Sequence, residues 1–407
     1  MQPIMAQRIV NWQQGIQSPP YELMICPTHR CNLRCAICAR SWEGDTAGVL
    51  FDELPDERWL RLLDEAAAMG VRYLNIGGGG EPTLRRDLIM DLCSKAKAGG
   101  MEVHLQTNGT TLSKEDWEKL LNIGLDYITV SVDGPTAAIN DAIRFEKAFD
   151  KTVTRLGWLH QLKKERRSPL PKLQINMVLT ALNYKHLDDM VHFCVEQGVE
   201  YLSVKTLLEY SPDMKDFILS DAQKLGVPEE IEKALALASK LGLATNLDTL
   251  ITKKSEQNQV AKPKPRESQD AALINAKCLE PWRGIVVSSS GHVAPCCFFW
   301  DGAADSIRDK SLQEVWLGPY LRNFRQQMQQ GDLPPFCISC RFPESNDHCQ
   351  LRACVVQAVE TRGHGNSNVI ALIRKTWINL RRSGVRRTWK RFQEWRAIRR
   401  AFRKEAR

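Results

Sequence analysis

The chain has 407 residues, 43% of them apolar, which suits two or three domains with a sizeable buried core. No apolar run reaches the length of a spanning helix, and the N-terminus, MQPIMAQRIVNWQQG, holds no apolar signal core, so neither a membrane span nor a secretory leader is expected. The net charge is +8, yet residues 369–407 carry 14 Lys or Arg against two Glu, +12, which leaves 8 − 12 = −4 for the rest.

In chain order, residues 1–20 read as an N-terminal extension. Strand segments follow at 22–26, 73–76, 102–106, 127–132, 173–179 and 201–205. They are rich in Ile, Val, Leu and Tyr, as buried parallel strands are. Amphipathic helical stretches separate them at 56–68, 86–98, 113–123, 147–163 and 186–196. Ser113 with Asp116 approximates a capping box. Gly70, Gly99, Gly124 and Gly198 follow helical runs and suit left-handed C-caps. This alternation predicts a parallel, right-handed, barrel-like sheet of fewer strands than a closed barrel. Active sites of such barrels form at the C-terminal strand ends.

The chemistry-bearing residues fall at those ends. Cys31, Cys35 and Cys38 are spaced C-x3-C-x2-C in a polar loop after the first strand. Such a set can hold three irons of a four-iron cluster and leave the fourth open, and an open metal position is where chemistry can happen. GGGGEPT (77–83), QTNGT (106–110) and TVSVDGP (129–135) end the next three strands, and DAIR ends at Arg144. Each alone has a plain reading. A glycine run is a turn, Asn108 and Ser131 can cap strand ends, and Arg144 can be a solvated helix charge.

In this order and at these intervals, the motifs resemble the radical S-adenosylmethionine (SAM) family over about residues 21–210. The resemblance implies a partial (β/α)6 TIM-like barrel at 21–215. It implies a 4Fe–4S cluster on Cys31, Cys35 and Cys38, with SAM chelating the free iron. It further implies that Gly79, Gly80 and Glu81 meet the methionine amino group, and that Asn108 and Ser131 serve the ribose or carboxylate. Arg144 would pair with the SAM carboxylate, and Ile37 would pack near adenine at a position often aromatic in the family. The implied reaction is reductive cleavage of SAM to a 5′-deoxyadenosyl radical that removes a hydrogen atom from an unactivated carbon. The electron would come from an external donor such as flavodoxin or ferredoxin. No catalytic acid or base is legible.

Residues 216–277 read as a helical connection, including 229–240, followed by a polar linker at 253–273. Cysteines then return at 278–356. GIVVSSSGHVAPCC (284–297) reads as a β-hairpin turning at Ser290-Gly291, a helical stretch within 311–328 is interrupted at Gly318-Pro319, and Cys337-x2-Cys340 follows two prolines. Two cysteine pairs also suit one zinc ion. Behind such a core, the spacing Cys278-x12-Gly291-x4-Cys296 resembles the SPASM and twitch extensions. That implies at least one auxiliary 4Fe–4S cluster on Cys278, Cys296, Cys337 and Cys340. The later gaps, to Cys349 and Cys354, depart from the full SPASM pattern. Thirteen cysteines in a chain without a leader favour metal ligation over disulfides and a cytoplasmic location. Cys26, Cys93 and Cys194 read as structural, and His29 and His104 as packing or surface residues.

Residues 357–407 form a basic tail, helical over 369–404, with Trp377, Trp389 and Trp395 on an otherwise Arg-rich segment. It suits an anionic membrane surface at the inner face, or packing on the body. A nucleic-acid partner is not expected. The expected function is radical SAM oxidation, epimerisation or crosslinking of a small or sugar-like molecule, because no peptide-recognition domain precedes Tyr21. The alternatives are maturation of a ribosomally made peptide or protein, a non-catalytic iron–sulfur carrier, and a zinc-stabilised scaffold.

Overall fold

A computed structural model of the chain describes residues 3–41, 52–145, 147–255, 276–299, 304–340 and 346–363. Most of the expected linker and the whole 369–407 tail lie outside them. The six expected strands all form, with ends within a residue of expectation: β1 (Glu22–Ile25), β2 (Tyr73–Ile76), β3 (Glu102–Thr107), β4 (Tyr127–Ser131), β5 (Lys172–Leu179) and β6 (Tyr201–Thr206). They pair in parallel, each with the next.

The five expected helices form as α2 (Asp56–Ala68), α3 (Arg86–Ala98), α4 (Lys114–Ile123), α6 (Ala148–Arg166) and α7 (Leu187–Glu196), and α5 (Ala137–Arg144) is a further helix that the periodicity does not predict. Ser113 caps α4 in a full capping box with Asp116. Gly70, Gly124 and Gly198 take positive φ as expected, whereas Gly99 does not. The left-handed turn after α3 falls on Gly100, at φ +76. Along the strands, Leu23, Ile25, Leu74, Ile76, Val103 and Leu105 are fully buried under helix residues such as Trp59, Leu62, Ile89 and Trp117. The residues alternating with them line the concave face. At about 1.5–3 kcal/mol per buried large apolar side chain, this one-sided burial fixes the register, since a one-residue slip would turn the buried set outward.

The sheet does not stop at six strands. Its order is β7-β6-β5-β4-β3-β2-β1-β8-β9. β7 (Ala244–Thr245) follows α8 (Asp221–Leu241), which is capped by Ser220 and contains the expected helical stretch 229–240. α9 (Asp248–Ser255) follows. β8 (Gly284–Val287) and β9 (Val293–Ala294) are the expected hairpin, and β8 pairs in parallel with β1. The cysteine-rich region is thus joined to the barrel through its own sheet.

The N-terminal extension is not plain either. α1 (Pro3–Gln13) buries Met5, Ile9 and Val10 against Leu279 and Trp282, against Phe324 and Met328 of α12 (Pro319–Gln330), and against Leu351 and Val355 of α14 (Asn346–Gly363). The short helices α10 (Glu280–Arg283), α11 (Leu312–Trp316) and α13 (Pro335–Ser339) complete this region, with Gly318 breaking α11 from α12 as expected.

Candidate active site and auxiliary metal centre

The loop bearing Cys31, Cys35 and Cys38 leaves β1 and is pinned on several sides. The glycine loop after β2 lies directly on it. Gly80 N donates to Thr28 O at 2.9 Å, and Glu81 N donates to Arg30 O at 2.8 Å. A Cβ on Gly80 would stand 2.0 Å from Arg30 O, and Gly79 has φ +65, so only glycine permits the approach. From the end of β3, Asn108 Nδ2 donates to Asn32 Oδ1 at 2.9 Å, and Asn32 Nδ2 donates to Thr110 Oγ1 at 2.8 Å. From the end of α5, Ile143 O accepts from Ala36 N at 2.9 Å. Glu53 adds a fourth anchor by accepting from Thr28 Oγ1 and from His29 N.

The expected SAM residues gather here, and each has a definite setting. Glu81 is buried, and its carboxylate accepts from Thr83 N, Thr83 Oγ1, Thr107 Oγ1 and Asn108 N. Burial pushes its pKa up, against those four hydrogen bonds. Glu81 therefore ties the ends of β2 and β3 together, and the glycine backbone beside it faces the cluster loop. Arg144 is buried and ion-paired to buried Asp133 at 2.7 Å. Desolvation lowers its pKa, but Asp133 and the nearby Cys35 raise it further, so the net shift is upward. It is no solvated helix charge. Ile37 is buried with Ile143 and Met214 in a small apolar wall. Ser131 ends β4, half-buried, in register with Asn176.

Below these groups, the concave face is polar. Burial lowers the pKa of His104 to about 4, so the ring is neutral at pH 7. Its Nε2 lies 2.7 Å from Thr129 Oγ1 and its Nδ1 lies 2.9 Å from Tyr73 OH. Thr129 Oγ1 donates to Gln174 Oε1 at 3.4 Å, so it accepts from Nε2–H, and Tyr73 O–H donates to Nδ1. Gln106 Nε2 donates to Asn75 Oδ1 at 2.7 Å. At the level of Gln106, Thr129 and Gln174, and one step up at Ser131, Asn176 and Ser203, the wall carries neutral hydrogen-bonding groups.

The second centre is distributed. Cys278, Cys296, Cys337 and Cys340 line one cavity of about 430 Å³, which includes space open to solvent. Pro281, Phe298, Phe324 and Met328 supply apolar walls. Burial pushes Cys296 to about 12 and raises Cys278 and Cys337. Among the described residues, no group of three or more His, Cys, Asp or Glu converges on a point that could hold one metal ion. Thiols set around one cavity can hold a cluster, in which each iron takes its own thiolate. Cys297, Cys349 and Cys354 do not line this cavity. Cys93 and Cys194 are in the main core, and Cys26 is buried with Val286 and Ala294, as structural thiols are.

Family comparison agrees with both centres. The radical SAM superfamily model matches residues 25–194, and the SPASM model, an iron–sulfur cluster-binding domain, matches 278–341. The chain carries a radical SAM domain followed by a SPASM iron–sulfur cluster-binding domain. Among curated relatives, a tungsten-containing aldehyde ferredoxin oxidoreductase cofactor-modifying protein of Pyrococcus furiosus is 25% identical over 79% of this chain and 87% of its own. A PqqA peptide cyclase of Granulibacter bethesdensis is 27% identical over 79% and 80%. The crystal structure of Streptococcus suis SuiB shares the fold, with a TM-score of 0.60 and 20% identity over 78% of this chain and 70% of that one.

The residues present fit the cofactors of a radical SAM enzyme with a SPASM domain. Burial pushes the Cys35 thiol up to about 11, although Arg144 beside it works the other way. Cys31 is raised too, and it accepts a hydrogen bond from Leu33 N at 3.4 Å. Such thiols stay protonated at neutral pH until iron draws off the proton. The core 4Fe–4S cluster and SAM, when bound, supply a 5′-deoxyadenosyl radical. Cys31, Cys35 and Cys38 would hold the core cluster, and the polar concave face would be left for a substrate. Glu53 lies outside every motif, and Asn32 and Asp133 lie inside motifs whose spacing does not reveal their partners, Thr110 and Arg144.

Proposed function

We propose that the chain is a maturase of a ribosomally made peptide or protein, in which hydrogen is removed from a substrate residue held against the polar concave face. The similarity to PqqA peptide cyclases carries this reading: the Granulibacter relative aligns over about four-fifths of both chains. The neutral donors and acceptors of Gln106, Gln174, Asn176 and Ser203 support it, since they match peptide amides without imposing a charge. The small or sugar-like substrate expected at first takes second place. It leaned on the segment before Tyr21, and part of that segment is occupied in packing α1 against α14.

Anaerobic incubation with SAM, reductant and peptides encoded beside the gene tests the proposal. The expected result is a peptide product with altered mass and a 5′-deoxyadenosine yield that rises with peptide. A rise with sugars or aminocyclitols, and none with peptides, would overturn it.

Two partners belong to the same reading. An external one-electron donor such as flavodoxin or ferredoxin would reduce the core. Residues 369–407, at net +12, would rest on an anionic membrane surface from the cytoplasmic side. No helix among the described residues is long and apolar enough to cross a membrane. Liposome flotation with and without residues 369–407 decides the second point, and equal flotation would end it.

A further inference from the structure

The auxiliary cavity is walled by side chains from four separate segments, and one of those side chains is a cation. Lys277 precedes Cys278 and lines the cavity with all four thiols. Its Nζ donates to Cys337 O at 2.7 Å and to Ile338 O at 2.5 Å, both within the second ligand pair. One ammonium thus joins the two halves of a ligand set that are about sixty residues apart in sequence. Its own backbone is held in turn, because Arg352 of α14 donates to Ala276 O at 2.6 Å and to Lys277 O at 3.0 Å. Among the described residues lining the cavity, Lys277 is the only cation. The single acid there, Glu280, is bonded to Arg283 at 2.9 Å.

We propose that Lys277 is a positioning residue for the auxiliary cluster, clamping the Cys278 and Cys337–Cys340 segments together and raising the cluster's reduction potential with its charge. The physical argument has two parts. Two charge-assisted hydrogen bonds to consecutive-loop carbonyls fix where the Cys337 and Cys340 thiolates point. A cluster on four thiolates is anionic and gains more negative charge on reduction, so a nearby ammonium in a largely apolar wall favours the reduced state. Arginine in place of lysine keeps the charge and the donors. Methionine keeps the apolar stem and removes both.

The test compares wild-type, Lys277→Met and Lys277→Arg proteins, each as the full chain carrying Cys31→Ala, Cys35→Ala and Cys38→Ala so that only auxiliary iron remains. Iron content and the midpoint of the cluster's one-electron couple, followed by electron paramagnetic resonance, are the readouts. The expected result is that Lys277→Met either loses auxiliary iron or keeps it with a midpoint shifted negative. The shift should reach about tenfold in the reduced-to-oxidised ratio, about 59 mV for one electron. Lys277→Arg should restore wild-type behaviour in either case. Unchanged iron and midpoint in Lys277→Met would overturn the proposal, and so would equal loss in Met and Arg, which would mark a packing role only.

Discussion

The two metal centres are built on opposite plans. The core cysteines lie in one short loop, and that loop is held by neighbours at the ends of β2 and β3 and by α5. The auxiliary cysteines come from the start of α10, the end of the β8–β9 hairpin and α13, and meet only because α1, α12 and α14 pack around them. A local set makes a short motif and needs clamping from outside. A distributed set makes a weak motif and needs the tertiary fold itself. Both plans share one sheet, because β8 lies beside β1, the strand that leads into the core loop.

The largest way to break this contrast is to remove one centre and ask for the other. Replacing Cys31, Cys35 and Cys38 by Ala should abolish 5′-deoxyadenosine formation and leave auxiliary iron in place, as measured by product chromatography and iron analysis. The converse change, Cys337→Ser with Cys340→Ser, should cost auxiliary iron and leave substrate-free SAM cleavage near wild type. Loss of both activities in the second variant would mean that the centres do not fold independently.

A smaller effect sharpens the account of the core's frame. Arg144→Met leaves Asp133 buried without its cation, and removing one partner of a buried pair costs about 3–5 kcal/mol. Chemical denaturation should show that loss, whereas a surface Arg would give almost none.

The smallest effect concerns pH. The folded-state pKa of His104 is about 4, below its ordinary 6.5, so the fold favours the neutral ring. Above pH 6.5 both folded and unfolded states carry it neutral, and it makes no pH-dependent contribution. As pH falls from 6.5 to 4, the unfolded chain takes up the proton first, and stability drops by at most about 3 kcal/mol. His104→Gln should flatten that limb of the stability profile. An unchanged profile would show that other groups set it.

Much of this was legible in the sequence for a physical reason. Strand and helix periodicity are local, and so are C-x3-C-x2-C and GGGGEPT, whose spacing is their chemistry. The four auxiliary thiols were readable only through a motif resemblance, yet they line one cavity. What stayed hidden was non-local. β8 is four residues long, and its partner β1 lies some 260 residues away, so nothing near it signals a parallel neighbour. Asp133 as the partner of Arg144 follows a chain reversal that periodicity does not encode. The role of α1 is not legible locally because its apolar residues, Met5, Ile9 and Val10 among them, find their partners on α12 and α14 at the other end of the chain. Gly100 rather than Gly99 takes the left-handed turn because α3 runs on to Ala98, with Gly99 still at negative φ.

The most direct test of the two-centre account is electron paramagnetic resonance of the reduced full-length protein with and without SAM. With Cys31, Cys35 and Cys38 as its ligands the core cluster would keep one iron for SAM, and with four thiolates the auxiliary cluster would keep none. SAM should therefore change the signal that disappears with Cys31, Cys35 and Cys38, and leave untouched the signal that disappears with Cys337 and Cys340. A SAM-dependent change that persists after Cys31, Cys35 and Cys38 are replaced would contradict the account.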